Sequence, residues 1–221
     1  MTRRAAMPTV LGVNASPFVR KVRVFLAEKN VSYDLDPVLP FNVSDDFKKL
    51  SPLGKVPAFR DGDVTLCDSS VICHYLEKIH PSPALYPSDP YEFARALWFE
   101  EFGDGGIVSV AGPKIFLEKV VAPVFFNRAT DEAVVEKAIK EELPPLFNYL
   151  EGELTGDVLV GKSFSIADIG VATHFVNLRH AGVSVDAGRW PKLAKYIAGV
   201  HARPSFKALI EEEEATFRPA A

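Results

Sequence analysis

The chain of 221 residues has only two cysteines, Cys67 and Cys73. Two thiols cannot form a disulfide framework at this length, and they point to a reducing, cytoplasmic compartment. No apolar run approaches the roughly 20 residues that a membrane-crossing helix needs, which excludes such a helix. Charge of one sign is also scarce. The 25 Lys and Arg against 29 Asp and Glu leave a net charge of -4, which argues against a basic nucleic-acid groove or a polybasic membrane patch. Five histidines, His74, His80, His174, His180 and His201, are scattered; no pair has metal-site spacing, so no metal is expected. There is no internal repeat and no low-complexity tract. The arginines Arg3 and Arg4 lack the apolar core of an export signal. The opening therefore reads as a short extension, with Met7 an alternative start.

What is present is ordinary globular composition, 48% hydrophobic and 24% charged, enough for one large core or two small ones. The first third alternates strand and helix signals. Thr9 to Val13 is β-branched and apolar, like a buried strand. Ser16-Pro17 opens a helical stretch with Val22, Phe25 and Leu26 at helical spacing and Lys21, Arg23, Glu28 and Lys29 on the other side. Tyr33 to Val38 alternates as a second strand, and Asp45 to Leu50 reads as a short helix. Two further strands flank Asp61-Gly62-Asp63, a hairpin. Asp68-Ser69-Ser70 then caps a helix carrying Val71, Ile72, Tyr75, Leu76 and Ile79. This is a small α/β unit. Pro81, Pro83, Pro87 and Pro90 follow as a stiff linker. Beyond them the pattern is helical, with a break or kink expected at Gly103 to Gly106, an interruption near Gly112-Pro113, and a kink or split at Pro144-Pro145. The expected division is residues 8–85, a linker at 86–91, and an all-α domain at 92–217.

Three clusters can carry chemistry. Ser16 sits at or near a helix N-cap, with Pro17 suited to the first turn; a cap alone accounts for that position. A thiol docked there would gain from the helix dipole, the exposed N–H groups and one hydroxyl donor. Lowering a thiol pKa by about 2 units takes about 2.7 kcal/mol, which one charge-assisted hydrogen bond and a dipole can supply. Lys55-Val56-Pro57 either begins a strand at a proline or turns the Val56 backbone outward, through a cis bond, toward an extended peptide. Asp68-Ser69 either caps a helix or holds an amino-acid head group, Ser69 and the helix N-terminus on its carboxylate and Asp68 on its ammonium.

Taken together, Ser16-Pro17-Phe18-Val19-Arg20-Lys21-Val22-Arg23, Ser51-Pro52-Leu53-Gly54-Lys55-Val56-Pro57-Ala58-Phe59 and Asp68-Ser69-Ser70-Val71-Ile72 through Tyr75-Leu76 resemble serine-type cytosolic glutathione transferases. Ser165-Ile166-Ala167-Asp168 is similar to the capping box of that family's helical domain, and its own physics is clear: Ser165 caps forward and Asp168 caps back. The resemblance runs over nearly the whole chain from Thr9. It implies an α/β plus all-α fold, a thioredoxin-like N-terminal domain followed by a C-terminal helical bundle, assembled as a homodimer.

The resemblance further implies that Ser16 hydrogen-bonds the glutathione sulfur and Val56, beside Pro57, pairs with the cysteinyl backbone. Lys55 and Asn42 would lie at the glycyl end, Asp68 and Ser69 at the γ-glutamyl end, and Phe18 along the cleft. Glutathione would be the cosubstrate of a small hydrophobic electrophile, whose pocket the helical domain would carry. Trp98, Phe102 and Phe116 could line that pocket, although core packing is the ordinary role of such aromatics. Asp68 stands where the family more often has Glu, and Asn42 where a basic residue is common. No cysteine lies near Ser16, which argues against the cysteine-type members. The implied activity is attack of the thiolate on an electrophilic carbon, or on a peroxide oxygen. Its rivals are a non-catalytic binding or regulatory protein of the same architecture, and a glutathione-dependent isomerase or dehalogenase.

Overall fold

The computed structural model describes residues 7–217; the reading of the N-terminal extension, residues 1–6, lies outside them. The described chain divides after Leu85 into two compact units.

The first unit contains β1 (Thr9–Leu11), α1 (Pro17–Glu28), β2 (Asp34–Asp36), α2 (Asp45–Leu50), β3 (Ala58–Asp61), β4 (Val64–Cys67) and α3 (Ser69–Ile79). Its sheet has the order β2-β1-β3-β4. β1 and β2 are parallel, with α1 as the crossover, and β3 is antiparallel to both β1 and β4. The hairpin turns on Gly62 at φ +59 and pairs Asp61 with Val64. β2 is shorter than the alternation suggested: it ends at Asp36, whose carbonyl accepts the Gly12 N–H at 2.9 Å, and the ring-fixed φ of Pro37 then takes the chain out of strand geometry. β1 likewise stops early, at Gly12. A Cβ there would lie 2.4 Å from Val19 Cγ2 and 3.2 Å from Val56 Cβ, so only glycine lets β1 pass this close to α1 and to Val56.

The expected polar face of α1 is not solvated. Lys21, Arg23 and Lys29 are buried, as is Arg20. Such long side chains can be buried because their charged heads find partners. Lys21 Nζ donates to Ser70 Oγ at 2.9 Å. Arg23 donates to Tyr33 Oη at 2.7 Å and to Asn14 Oδ1 at 2.9 Å. Lys29 pairs with Glu77 and donates to the Pro83 carbonyl, while Glu77 accepts the Leu85 N–H. Sequence periodicity sorts residues by hydropathy and is blind to such pairings.

The second unit is all helical. It comprises α4 (Pro90–Glu101), α5 (Val108–Val110), α6 (Ala122–Phe125), α7 (Glu132–Lys137), α8 (Leu143–Glu153), α9 (Ile166–His180), α10 (Pro191–His201) and α11 (Pro204–Phe217), with π-helical stretches at Phe102–Ile107, Ala111–Val121 and Ala138–Glu142. The chain is thus not broken at Gly103 to Gly106 or at Gly112-Pro113. It continues through wider turns, which keep the backbone hydrogen-bonded where glycine and proline would disfavour an α-helix. Pro144 and Pro145 fall in the first turn of α8, where the missing N–H costs little. Every residue of α9 from Ile166 to Leu178 is buried, as expected of a helix enclosed on all sides.

Gly103 and Gly170 let α9 approach this widened helix. A Cβ on Gly103 would lie 2.4 Å from the Gly170 carbonyl oxygen, whereas one on Gly105 would meet nothing within 4 Å. Gly103→Ala is therefore expected to destabilise the protein by about 1–3 kcal/mol. Gly105→Ala should leave stability unchanged or raise it by up to about 1 kcal/mol, since a helical glycine is entropically costly. Urea midpoints of the two variants check the contrast.

Ser165 Oγ accepts the Ala167 N–H at 3.3 Å and Asp168 Oδ2 accepts the Ser165 N–H at 2.9 Å, so the capping box is formed. Asp168 does more than cap. Its Oδ1 also accepts the Leu159 N–H and the Tyr196 hydroxyl, both at 2.9 Å. It thereby joins α9 to α10 and to the loop before α9.

Candidate functional site

Sheet register brings the three clusters of the first unit to one end of the sheet. Leu11 pairs with Ala58 and Ala58 with Cys67. The C-terminal end of β1, the N-terminal end of β3 and the C-terminal end of β4 therefore form one row. Gly12 follows Leu11 and leads to Ser16, Val56 and Pro57 precede Ala58, and Asp68 and Ser69 follow Cys67.

Ser16 caps α1. Its Oγ accepts the Val19 N–H at 3.4 Å, long for an N–H···O bond. Pro17 occupies the first helical position, as expected. Ser16 is half-buried, and its hydroxyl donates to no acceptor among the described residues. Phe18 is half-buried in the same first turn. Arg23 ties down Asn14, two residues before Ser16, so a cation two turns away steadies the approach to the cap.

The Val56–Pro57 peptide is cis. The residue Val56 is buried, yet its N–H and C=O enter none of the backbone hydrogen bonds among the described residues. Buried backbone groups are normally paired, so this backbone is suited to an extended chain laid along it. Lys55 and Asn42 are exposed, Asn42 with φ +56. The Lys55 carbonyl accepts Ser51 Oγ at 2.7 Å, which holds the turn before Val56.

Asp68 caps α3 through one oxygen. Oδ1 accepts the Ser70 N–H at 2.9 Å and the Val71 N–H at 3.3 Å. Asp68 itself is exposed and has φ +76, a conformation that costs a non-glycine residue about 1–3 kcal/mol and that clusters at ligand sites. Ser69 is only 3% exposed, and its hydroxyl has no hydrogen-bond partner among the described residues. The cap reading of Asp68 thus holds but leaves Oδ2 and the Ser69 hydroxyl unaccounted for.

The cysteines are elsewhere in role. Cys67 ends β4 half-buried and Cys73 is buried in α3. In the helical unit, Trp98 is half-exposed and donates its indole N–H to Tyr149 Oη at 2.6 Å; Phe102 packs on the same tyrosine at 4.8 Å. Phe116 is buried against Phe217, a core contact. Among the described residues, no cluster of histidine, cysteine, aspartate or glutamate could hold a metal ion, and no helix is long and apolar enough to cross a membrane. Gly12 and Arg23 are the contributors that sequence reasoning missed. Gly12 inside the strand-like run Thr9 to Val13 was the one available signal, since an isolated glycine in a strand pattern marks a bulge or a close backbone approach.

Residues 10–84 match the N-terminal domain of glutathione S-transferases and residues 116–213 match the C-terminal domain. An uncharacterized GST-like protein, YibF, of Escherichia coli strain K12 is 29% identical over 89% of this chain and 95% of its own. Glutathione S-transferase U4 of Arabidopsis thaliana is 34% identical over 72% of this chain and 66% of its own. A crystal structure of a glutathione S-transferase from Rhodospirillum rubrum F11 superposes with a TM-score of 0.88 at 27% identity, covering 97% of this chain and 96% of that one. The fold is accordingly a thioredoxin-like α/β domain followed by an all-helical domain, and the chain belongs to the glutathione S-transferase family.

Proposed function

We propose that this protein is a serine-type glutathione transferase, active as a homodimer, that binds glutathione at the Leu11–Ala58–Cys67 end of the sheet and activates its thiol. The observation that carries the reading is the convergence there of three groups suited to three parts of one peptide. The Val56 N–H and C=O suit the cysteinyl backbone, Ser69 and the α3 N-terminus the γ-glutamyl carboxylate, and Asp68 Oδ2 its ammonium. Lys55 and Asn42 serve the glycyl end, and Phe18 borders the cleft. Ser16 then meets the sulfur.

A thiol of pKa near 8.5 is only a few per cent ionised at neutral pH. The N-terminus of α1 and the Ser16 hydroxyl favour the anion. The thiolate attacks an electrophilic carbon of a small hydrophobic substrate; a carbon–sulfur bond forms and the leaving group departs with the bonding electron pair. The protein contributes binding, orientation and thiolate stabilisation rather than an acid–base pair.

Retention on immobilised glutathione, followed by turnover of a generic aryl halide, tests the reading. Retention with turnover supports a transferase. Retention without turnover on any electrophile favours a binding or regulatory protein, and loss of retention rejects the glutathione site itself.

A further inference from the structure

The buried ammonium of Lys21 has no assigned role in this site. Lys21 lies on α1, is fully buried, and donates to Ser70 Oγ at 2.9 Å. Ser70 follows Ser69 in the first turn of α3, and its own N–H donates to Asp68 Oδ1 at 2.9 Å. A connected path thus runs from the α1 cation through Ser70 to Asp68, behind the turn that presents the unpartnered Ser69 hydroxyl. Burying an ammonium is costly. Placing it against a helix N-terminus adds repulsion from the positive end of the dipole. For packing α1 against α3, an apolar side chain of the same length would serve without either cost. What the cation adds is a fixed positive charge behind the α3 N-terminus, in a poorly screened interior where charges act over longer range than in water.

We infer that Lys21 is a positioning residue for the amino-acid head group of the bound peptide. It holds Ser70, and with it the first turn of α3, and its charge makes that turn selective for a carboxylate. It acts through Ser70 and does not touch the ligand. The inference rests on the glutathione reading above and specifies which end of the peptide depends on α1.

The test compares glutathione with 4-aminobutanoyl-cysteinyl-glycine, the same peptide lacking the γ-glutamyl α-carboxylate. Binding of both is measured by calorimetry on wild type, Lys21→Met, Lys21→Arg and Ser70→Ala, with kcat at saturating glutathione. Lys21→Met is expected to weaken glutathione about tenfold while changing the analogue less than about twofold, with kcat at saturation nearly unchanged. Lys21→Arg should recover most of the loss. Ser70→Ala should lose the same selectivity to a smaller extent, and it decides the matter should Lys21→Met fail to fold. Equal weakening of both peptides would reduce Lys21 to a packing residue and overturn the inference, as would no change in either. Failure of the wild type to bind glutathione would instead reject the underlying site.

Discussion

Replacing Ser16 with alanine is expected to lower turnover of an electrophile tenfold or more, on the order of 1.4 kcal/mol in the barrier. Ser16 is both the cap of α1 and, in this account, the donor to the sulfur. A hydrogen bond to a charged acceptor contributes about 1.5–3 kcal/mol, whereas the helix N-terminus supplies roughly 0.3–1 kcal/mol and survives the substitution. Loss of the hydroxyl therefore removes the larger share of thiolate stabilisation. It also removes the cap to Val19, which costs about 1 kcal/mol of stability. The two effects separate through Ser44, whose Oγ accepts the Phe47 N–H at 3.2 Å at the start of α2. Ser44→Ala should show a comparable stability loss with turnover unchanged. If Ser16→Ala behaves in the same way, Ser16 is only a cap.

The largest stability effect is expected at Asp168. Its carboxyl accepts from the Leu159 N–H, the Ser165 N–H and the Tyr196 hydroxyl, and Asp168→Ala leaves all three buried donors without this acceptor. At about 1–3 kcal/mol for each unsatisfied buried group, partly relieved by relaxation, the loss is about 3–5 kcal/mol. Asp157, which pairs with Lys195 at the surface, should change stability by less than about 1 kcal/mol when replaced by alanine. Chemical denaturation of both variants checks the difference.

Asp168 also has a pH signature. Desolvation pushes its carboxyl up to about 6, against the Leu159, Ser165 and Tyr196 donors that pull it down. The folded value lies above the unfolded one, about 3.9, so the folded chain holds this proton more tightly. The corresponding stability is full below about pH 4 and is lost as pH rises through about 6. Wild type should accordingly lose stability relative to Asp168→Asn across that interval. A flat difference would place the carboxyl near its ordinary value.

Local signals in the sequence were read well. The Asp61-Gly62-Asp63 turn, the Ser16 and Asp68 caps and the Ser165 capping box depend on residues one to three positions apart, which a sequence displays directly. What stayed hidden depends on distant partners. Lys21 and Lys29 look solvated until Ser70 and Glu77 are placed beside them. Asp168 looks like a cap until Leu159 and Tyr196 arrive. Gly103 looks like a helix breaker until Gly170 is seen against it. The candidate site was legible as three motifs, but the row that unites them, Leu11, Ala58 and Cys67, belongs to the sheet register.

The central claim is that Ser16 and the α1 N-terminus stabilise a bound glutathione thiolate. Ultraviolet difference titration of the wild-type complex tests it most directly, by following thiolate absorbance against pH. The account predicts that the bound thiol titrates about 2 units below the free value near 8.5, and that Ser16→Ala returns most of that shift. A bound thiol that titrates at the free value in the wild type would contradict it.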